Sequence, residues 1–140
     1  MPVTGPIILV EDDVDDQHIF ECVLHELGIK NTLLCMSNCT VAFTYLKTTT
    51  DQPFIIICDV NLPGQSGIEF KMRIDNDEEL RSKAIPFVFY TTSADRIAID
   101  TAYKNMTVQG FFQKEDNYDD IKSTVKVLMD YWLKCRHPNQ

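Results

Sequence analysis

The sequence predicts an open α/β fold, a single doubly wound sheet of five parallel strands with helices on both faces. Three observations carry this. Short apolar runs alternate with longer amphipathic segments, giving five β-then-α units without internal repeat or linker. Two runs, Ile7–Val10 and Phe54–Cys58, are continuously apolar and rich in β-branched residues, as strands buried on both faces are. The length of 140 residues, 44% hydrophobic and 24% charged, suits one globular domain over 1–140, with its core from about 6 to about 135.

Ile7-Ile8-Leu9-Val10 is the first strand. A helix follows from about 14 to 27, with Val14, Ile19, Val23, Leu24 and Leu27 apolar. Asp13 is its N-cap, Asp15 and Asp16 favour its first turn through the helix dipole, and Gly28 stops it. Thr32 to Met36 reads as the second strand. Asn38 to Lys47 reads as a helix carrying Val41, Ala42, Tyr45 and Leu46. Phe54–Cys58, the third strand, runs into Asp59-Val60-Asn61-Leu62-Pro63-Gly64-Gln65-Ser66-Gly67, a loop rich in turn residues. The next helix spans Ile68 to Ile74, and the acidic stretch Asp75–Glu79 is expected as a solvated helix end or loop. Pro86 to Thr91 is the fourth strand. A helix opened by Ser93 or Asp95 runs to about Met106, and Gly110-Phe111-Phe112-Gln113 is a short fifth strand. The last helix runs from about Asp119 to Cys135. Its residues Ile121, Val125, Leu128 and Trp132 recur at helical spacing, and His137–Gln140 is a frayed tail.

There are 21 acidic and 13 basic residues, for a net charge of −8 and a pI near 4.7. That balance argues against nucleic acid or an anionic membrane as the main partner. Nothing approaches the ~20 apolar residues of a membrane span, and the first residues lack a signal core. The five cysteines (Cys22, Cys35, Cys39, Cys58, Cys135) have irregular spacing without metal-ligand pattern. They read as reduced, mostly buried thiols of a cytoplasmic protein. His18, His25 and His137 share no metal spacing and are expected to face solvent.

Ligands of such sheets bind beyond the carboxyl ends of the strands. There the sequence places Glu11-Asp12, then Asp59 with Asn61 two residues on, then Thr91, then Lys114. Each close pair of carboxylates costs about 1–4 kcal/mol, and one ammonium does not balance three acids. A hard divalent cation with oxygen ligands does, and Mg²⁺ suits a few carboxylates plus waters. The pieces suggest phosphoryl transfer. Asp59 is the nucleophile, Mg²⁺ neutralises the developing charge, and Lys114 and Thr91 hold phosphoryl oxygens.

At these residues, and along essentially the whole chain from Ile7 to about Trp132, the sequence resembles the receiver domain of two-component response regulators. Four pieces, each ending a predicted strand, carry the resemblance: Ile8–Asp12, Cys58–Gly64, Ile85–Ser93 and Gly110–Lys114. The resemblance implies a flavodoxin-like strand order, 2-1-3-4-5. It implies that Asp59 accepts a phosphoryl group from a sensor histidine kinase or a phosphotransfer protein. Asp12 and Asp59 would ligate Mg²⁺ directly, the Asn61 backbone carbonyl would be a third ligand, and Glu11 would orient metal-bound water. Thr91 and Lys114 would bind phosphoryl oxygens. Phe111 occupies the place of the family's switching aromatic, coupling Asp59 to the face made by the helix after the fourth strand, the fifth strand and the last helix.

Three features depart from the family pattern. Glu115 follows Lys114 where a cis-bonded proline is often found, and Thr92 is bulkier than the residue usual there. The run Glu11-Asp12-Asp13 also admits two registers; the first two acids are assigned to the site because they directly follow the strand, and Asp13 is left as a cap. Thr91-Thr92-Ser93, Asn61-Leu62-Pro63-Gly64 and Tyr131-Trp132 resemble stand-alone receivers, chemotaxis-regulator-like or serving phytochrome kinases. Such a protein is no enzyme beyond taking phosphate from donors and losing it again. Its output is binding to a downstream protein target, as a monomer or a weak homodimer, with Tyr131 and Trp132 a candidate dimer contact. Three other readings compete. An Mg²⁺-dependent aspartate-nucleophile phosphohydrolase often has a second acid where Asn61 stands. A flavodoxin-like ligand binder needs a phosphate loop where this chain has acids. A receiver-shaped binding module that is never phosphorylated is kept open by Glu115.

Overall fold

The computed structural model describes residues 4–92, 100–101, 103–104 and 109–135. In chain order the elements are β1 (Ile7–Val10), α1 (Val14–Glu26), β2 (Leu33–Met36), α2 (Cys39–Thr48), β3 (Ile55–Cys58), α3 (Gly67–Asp75), α4 (Glu78–Lys83), β4 (Phe87–Thr91), β5 (Gly110–Gln113) and α5 (Tyr118–Lys134). The helix expected from Ser93 or Asp95 to Met106 lies mostly outside the described residues; Asp100, Thr101, Tyr103 and Lys104 are helical.

All strand pairs are parallel, in the order β2-β1-β3-β4-β5. Alternation along the strands sorts the side chains into two cores. Ile8, Val10, Ile56, Cys58, Phe87 and Phe89 face one layer with Ala42 and Leu46 of α2, Phe70 and Ile74 of α3 and Leu80 of α4. Ile7, Leu9, Ile55, Ile57, Val88 and Tyr90 face the other with Phe20, Val23 and Leu24 of α1 and Val125, Leu128 and Met129 of α5. Burial on both faces explains why these strands read as continuous apolar runs.

The helix ends follow their caps. Asp13 accepts from the backbone N–H groups of Asp15 and Asp16 at 2.9 and 3.1 Å. Gly28, at φ 72°, provides the left-handed turn after α1. Asn38, Ser66 and Asn117 cap α2, α3 and α5.

Three expectations need correction. The acidic stretch after α3 is not simply a solvated end: Asp77 caps a short helix, α4, with Glu78 and Glu79 in its first turn. Lys47 of α2 ties this helix down through Asp77 at 3.1 Å and Glu79 at 2.9 Å. Of the cysteines only Cys39 and Cys58 are buried; Cys35 is exposed on the edge strand β2, and Cys22 and Cys135 are half-buried. All five are free thiols. Val14, counted with the apolar face of α1, is exposed at the helix start. His18 and His25 are exposed as expected, and His137 lies outside the described residues. No helix of the described residues is long and apolar enough to cross a membrane.

Lys71 of α3 is buried among apolar residues. Its Nζ lies 2.9 Å from Asp75 Oδ1 and 5.0 Å from the centre of the Phe87 ring. Replacing a buried ion pair whole by apolar groups is often neutral or stabilising by about 1–4 kcal/mol, whereas removing one partner alone is destabilising because it leaves the other charge without its counter-charge. Lys71→Met, which takes the ammonium from beside the largely buried Asp75 carboxylate, is therefore expected to lower the thermal midpoint, and adding Asp75→Leu to recover part of the loss, which calorimetry would read; a single variant as stable as the wild type would mean that the ion pair contributes nothing.

Candidate functional site

The carboxyl edge of the sheet brings the predicted residues together because the ladder continues past the strand ends. Glu11 N–H donates to Met36 O at 2.9 Å, Asp59 N–H to Val10 O at 3.0 Å and Lys114 N–H to Thr91 O at 2.9 Å. The first residue after each strand is thus fixed to its neighbour by sheet geometry. The loop after β3 folds back through Gly67 N–H to Val60 O at 2.8 Å. Asn61 N–H closes a tight turn onto Asp59 Oδ1 at 3.2 Å.

Glu11 and Asp59 are buried, and Asp12 is exposed at the rim. One carboxylate oxygen from each of the three lies within 4.8 Å of the others. Asp13 is instead engaged at the start of α1, so the structure groups Glu11 and Asp12 with Asp59 and leaves Asp13 as the cap. Lys114 Nζ meets Glu11 Oε1, Asp16 Oδ2 at 3.0 Å and Asp59 Oδ2 at 3.2 Å. Thr91 is fully buried, and among the described residues its Oγ1 has no partner at full hydrogen-bond geometry, though it lies beside Asp59. A cleft of about 60 Å³ opens beside Lys114, with Glu11, Asp16 and Asp59 on its polar side and Ile19, Phe20 and Ile121 on its apolar side.

The charges tune one another. Burial pushes the Glu11 carboxyl up to about 8 against the opposing pull of Lys114, with the Asp59 charge adding to the rise. Burial alone would also raise Asp59. The Thr91 hydroxyl beside it, the Lys114 ammonium and the Asn61 N–H outweigh burial and hold it below the usual carboxylate value. Burial would lower Lys114, but Glu11, Asp16 and Asp59 raise it above an ordinary lysine. The ammonium therefore stays charged, held by the acids that surround it. Oxygen donors of this hardness, clustered at one point, fit Mg²⁺ or a similar divalent ion.

Phe111 is not part of the cluster. Its ring packs half-buried on Phe89, with centroids 5.3 Å apart. Thr91 lies two residues beyond Phe89 and so on the same sheet face. Among the described residues no peptide bond is cis, so Glu115 continues from Lys114 through a trans bond. Sequence reasoning missed Asp16, taken only as a first-turn acid. Its position four residues after Asp12 was the available signal, because the first turn of α1 carries it back over the strand ends.

Comparison with known proteins agrees with this geometry. Residues 7–126 match the family described as the response regulator receiver domain. The probable methanogenesis regulatory protein FilR2 of Methanothrix harundinacea (strain 6Ac) is 30% identical over 131 residues, covering 91% of this chain and 83% of FilR2. Response regulator Rcp1 of Synechocystis sp. (strain ATCC 27184 / PCC 6803 / Kazusa) is 28% identical over 133 residues, 91% of this chain and 88% of Rcp1. The crystal structure of Rcp1 in its Mn²⁺-bound form superposes with a TM-score of 0.84, covering 96% of this chain and 99% of that one. The phosphorylated cyanobacterial phytochrome response regulator RcpA superposes with a TM-score of 0.86 at 26% identity, covering 96% and 98%. A five-stranded sheet in this order, acids gathered at its carboxyl edge and a family match over most of the length lead to one conclusion: the chain belongs to the response regulator receiver domain family.

Proposed function

We propose that this receiver is a phospho-accepting switch in which Asp59 takes a phosphoryl group from a histidine kinase or a phosphotransfer protein. The observation that carries the reading is the convergence of Glu11, Asp12 and Asp59 on one point, with Lys114 reaching Asp59 from the end of the edge strand β5. In the transfer an Asp59 oxygen forms a new P–O bond as the donor's P–N bond breaks, and the donor imidazole leaves with its electron pair. Mg²⁺, when bound, supplies positive charge to the transferring phosphoryl oxygens. Asp12, Asp59 and the Asn61 carbonyl would hold it, with Glu11 orienting its water. Lys114 donates to one phosphoryl oxygen, and the buried Thr91 hydroxyl donates to another. The Mn²⁺-bound Rcp1 and phosphorylated RcpA structures support both halves of this assignment by relationship.

Engagement of Thr91 would draw it toward the phosphoryl group and let Phe111 shift on the shared sheet face. That links phosphorylation to the surface around β5 and α5 by a change in conformer populations. Output is then binding to a protein target in the cytoplasm, by a single domain acting as a monomer or a weak dimer.

The metal half is tested by thermal unfolding. A ligand that binds only the folded state at about ten times its Kd adds ~1.4 kcal/mol, so millimolar Mg²⁺ is expected to raise the midpoint. Asp12→Asn is expected to abolish the rise. Asp13→Asn should leave it intact, because Asn caps a helix as well as Asp does; the reverse result would shift the register by one acid. The rise also depends on pH. The Glu11 carboxyl is held at about 8 in the fold against an ordinary 4.5. Its contribution without metal therefore favours folding below the ordinary value and is lost as pH climbs through the folded one. Mg²⁺ favours the ionised form, so its stabilisation is expected to grow from about pH 6 to about pH 9. A gain independent of pH would remove Glu11 from the metal's surroundings.

A further inference from the structure

We propose that Asp16 is a latch on Lys114: it holds the ammonium in the resting state and competes with the phosphoryl group for it. The inference rests on the phospho-acceptor reading above and deepens it.

An ammonium carries three N–H donors, and Lys114 faces three carboxylates, those of Glu11, Asp16 and Asp59. To donate to a phosphoryl oxygen it must give one of them up. The three are unequal. The Glu11 side chain is 3% exposed and that of Asp59 11%, while that of Asp16 is 39% exposed. A buried carboxylate that loses its cation stays desolvated, whereas a partly exposed one is rehydrated at little cost. Asp16 is thus the cheapest partner for Lys114 to leave.

Two effects act in the same direction. Asp16 occupies a donor that the phosphoryl group needs, and it adds a further negative charge beside an incoming anion. Asp16 is placed for this by its own helix, since Asp13 caps α1 through the Asp15 and Asp16 N–H groups and fixes the first turn against the strand ends. Asp16 is a positioning residue here, acting on the phosphoryl group only through Lys114.

Beryllofluoride, which assembles on a carboxylate as a tetrahedral phosphoryl mimic, is the probe. Its affinity is measured at saturating Mg²⁺ for the full chain and three variants. Asp16→Asn is expected to bind it about two- to fivefold more tightly, the worth of one partly exposed ion pair. Asp16→Glu, which restores the carboxylate, should return toward the wild type. Asp15→Asn removes an equal charge from the same turn without touching Lys114 and should change nothing. Unchanged or weaker binding by Asp16→Asn overturns the latch, and so does an equal gain in Asp15→Asn, which would reduce the effect to net charge. Merely loosening the fold would not produce a gain in affinity. A wild type that never binds beryllofluoride, with Mg²⁺ binding intact, overturns the phospho-acceptor reading and the latch with it.

Discussion

Asp59→Asn is expected to abolish phosphoryl acceptance completely. Incubated with acetyl phosphate and Mg²⁺, the wild-type chain should gain the mass of one phosphoryl group, and the variant should gain none. The loss is total because the amide has no anionic oxygen to attack phosphorus, while Glu11 and Asp12, the neighbouring carboxylates, are committed to the metal and its water in this reading. The fold should survive. An amide oxygen still accepts the Asn61 N–H that now reaches Asp59 Oδ1 at 3.2 Å, and one anion is removed from a crowded cluster. The Mg²⁺-induced rise in midpoint should shrink in the same variant, since one of three clustered carboxylates is gone. A variant that still acquires the full mass would move the acceptor elsewhere and sink the proposed function.

Gly67→Ala is expected to be the most damaging small substitution in the site. A Cβ there would lie 2.1 Å from the Asp59 carbonyl oxygen and 3.0 Å from the Val60 Cα, both backbone atoms that no rotamer change can clear. Gly67 opens α3 and bonds back to Val60, so either the helix or the strand end must move. Overpacking of this kind costs about 3 kcal/mol or more. For a domain of this size that lowers the thermal midpoint by roughly 10 °C. The strand end that moves is the one carrying Asp59, so the rate of labelling by acetyl phosphate should fall too, even at temperatures where the variant is folded. Gly64→Ala provides the contrast. Gly64 sits at φ 77° in open space, so that change carries only the conformational penalty of a left-handed residue, about 1–2 kcal/mol. Equal midpoints for the two variants would contradict the close approach at Gly67.

The sheet was legible because its signal is coarse. Runs such as Ile7–Val10 and Ile55–Cys58 are buried on both faces, and no other element of a chain this size needs that pattern. The site was legible because topology gathers strand ends, so locating the strands located Glu11, Asp59, Thr91 and Lys114 together. The missed features depend on contacts between elements. Acids at 75–79 look solvated until Lys47, thirty residues earlier, is known to face them. A lysine at 71 looks like a surface residue until α3 turns it onto Phe87. Asp16 needed the three-dimensional meeting of α1 with the end of β5. Such pairings follow from where elements pack, which periodicity along one segment does not encode.

Trp132 is the sole tryptophan of the chain. It stands half-buried on α5, with Tyr131 edge-on at 5.3 Å, beside a groove shared with Phe112 and Gln109. Because α5 runs back from the end of β5, this indole lies at the opposite end of the molecule from the acids. The protein therefore carries a built-in fluorophore, remote from the chemistry and seated on the surface where output is expected. Any emission change on adding a phosphodonor would be a signal that has crossed the whole domain, legible without a dye, a tag or a known target.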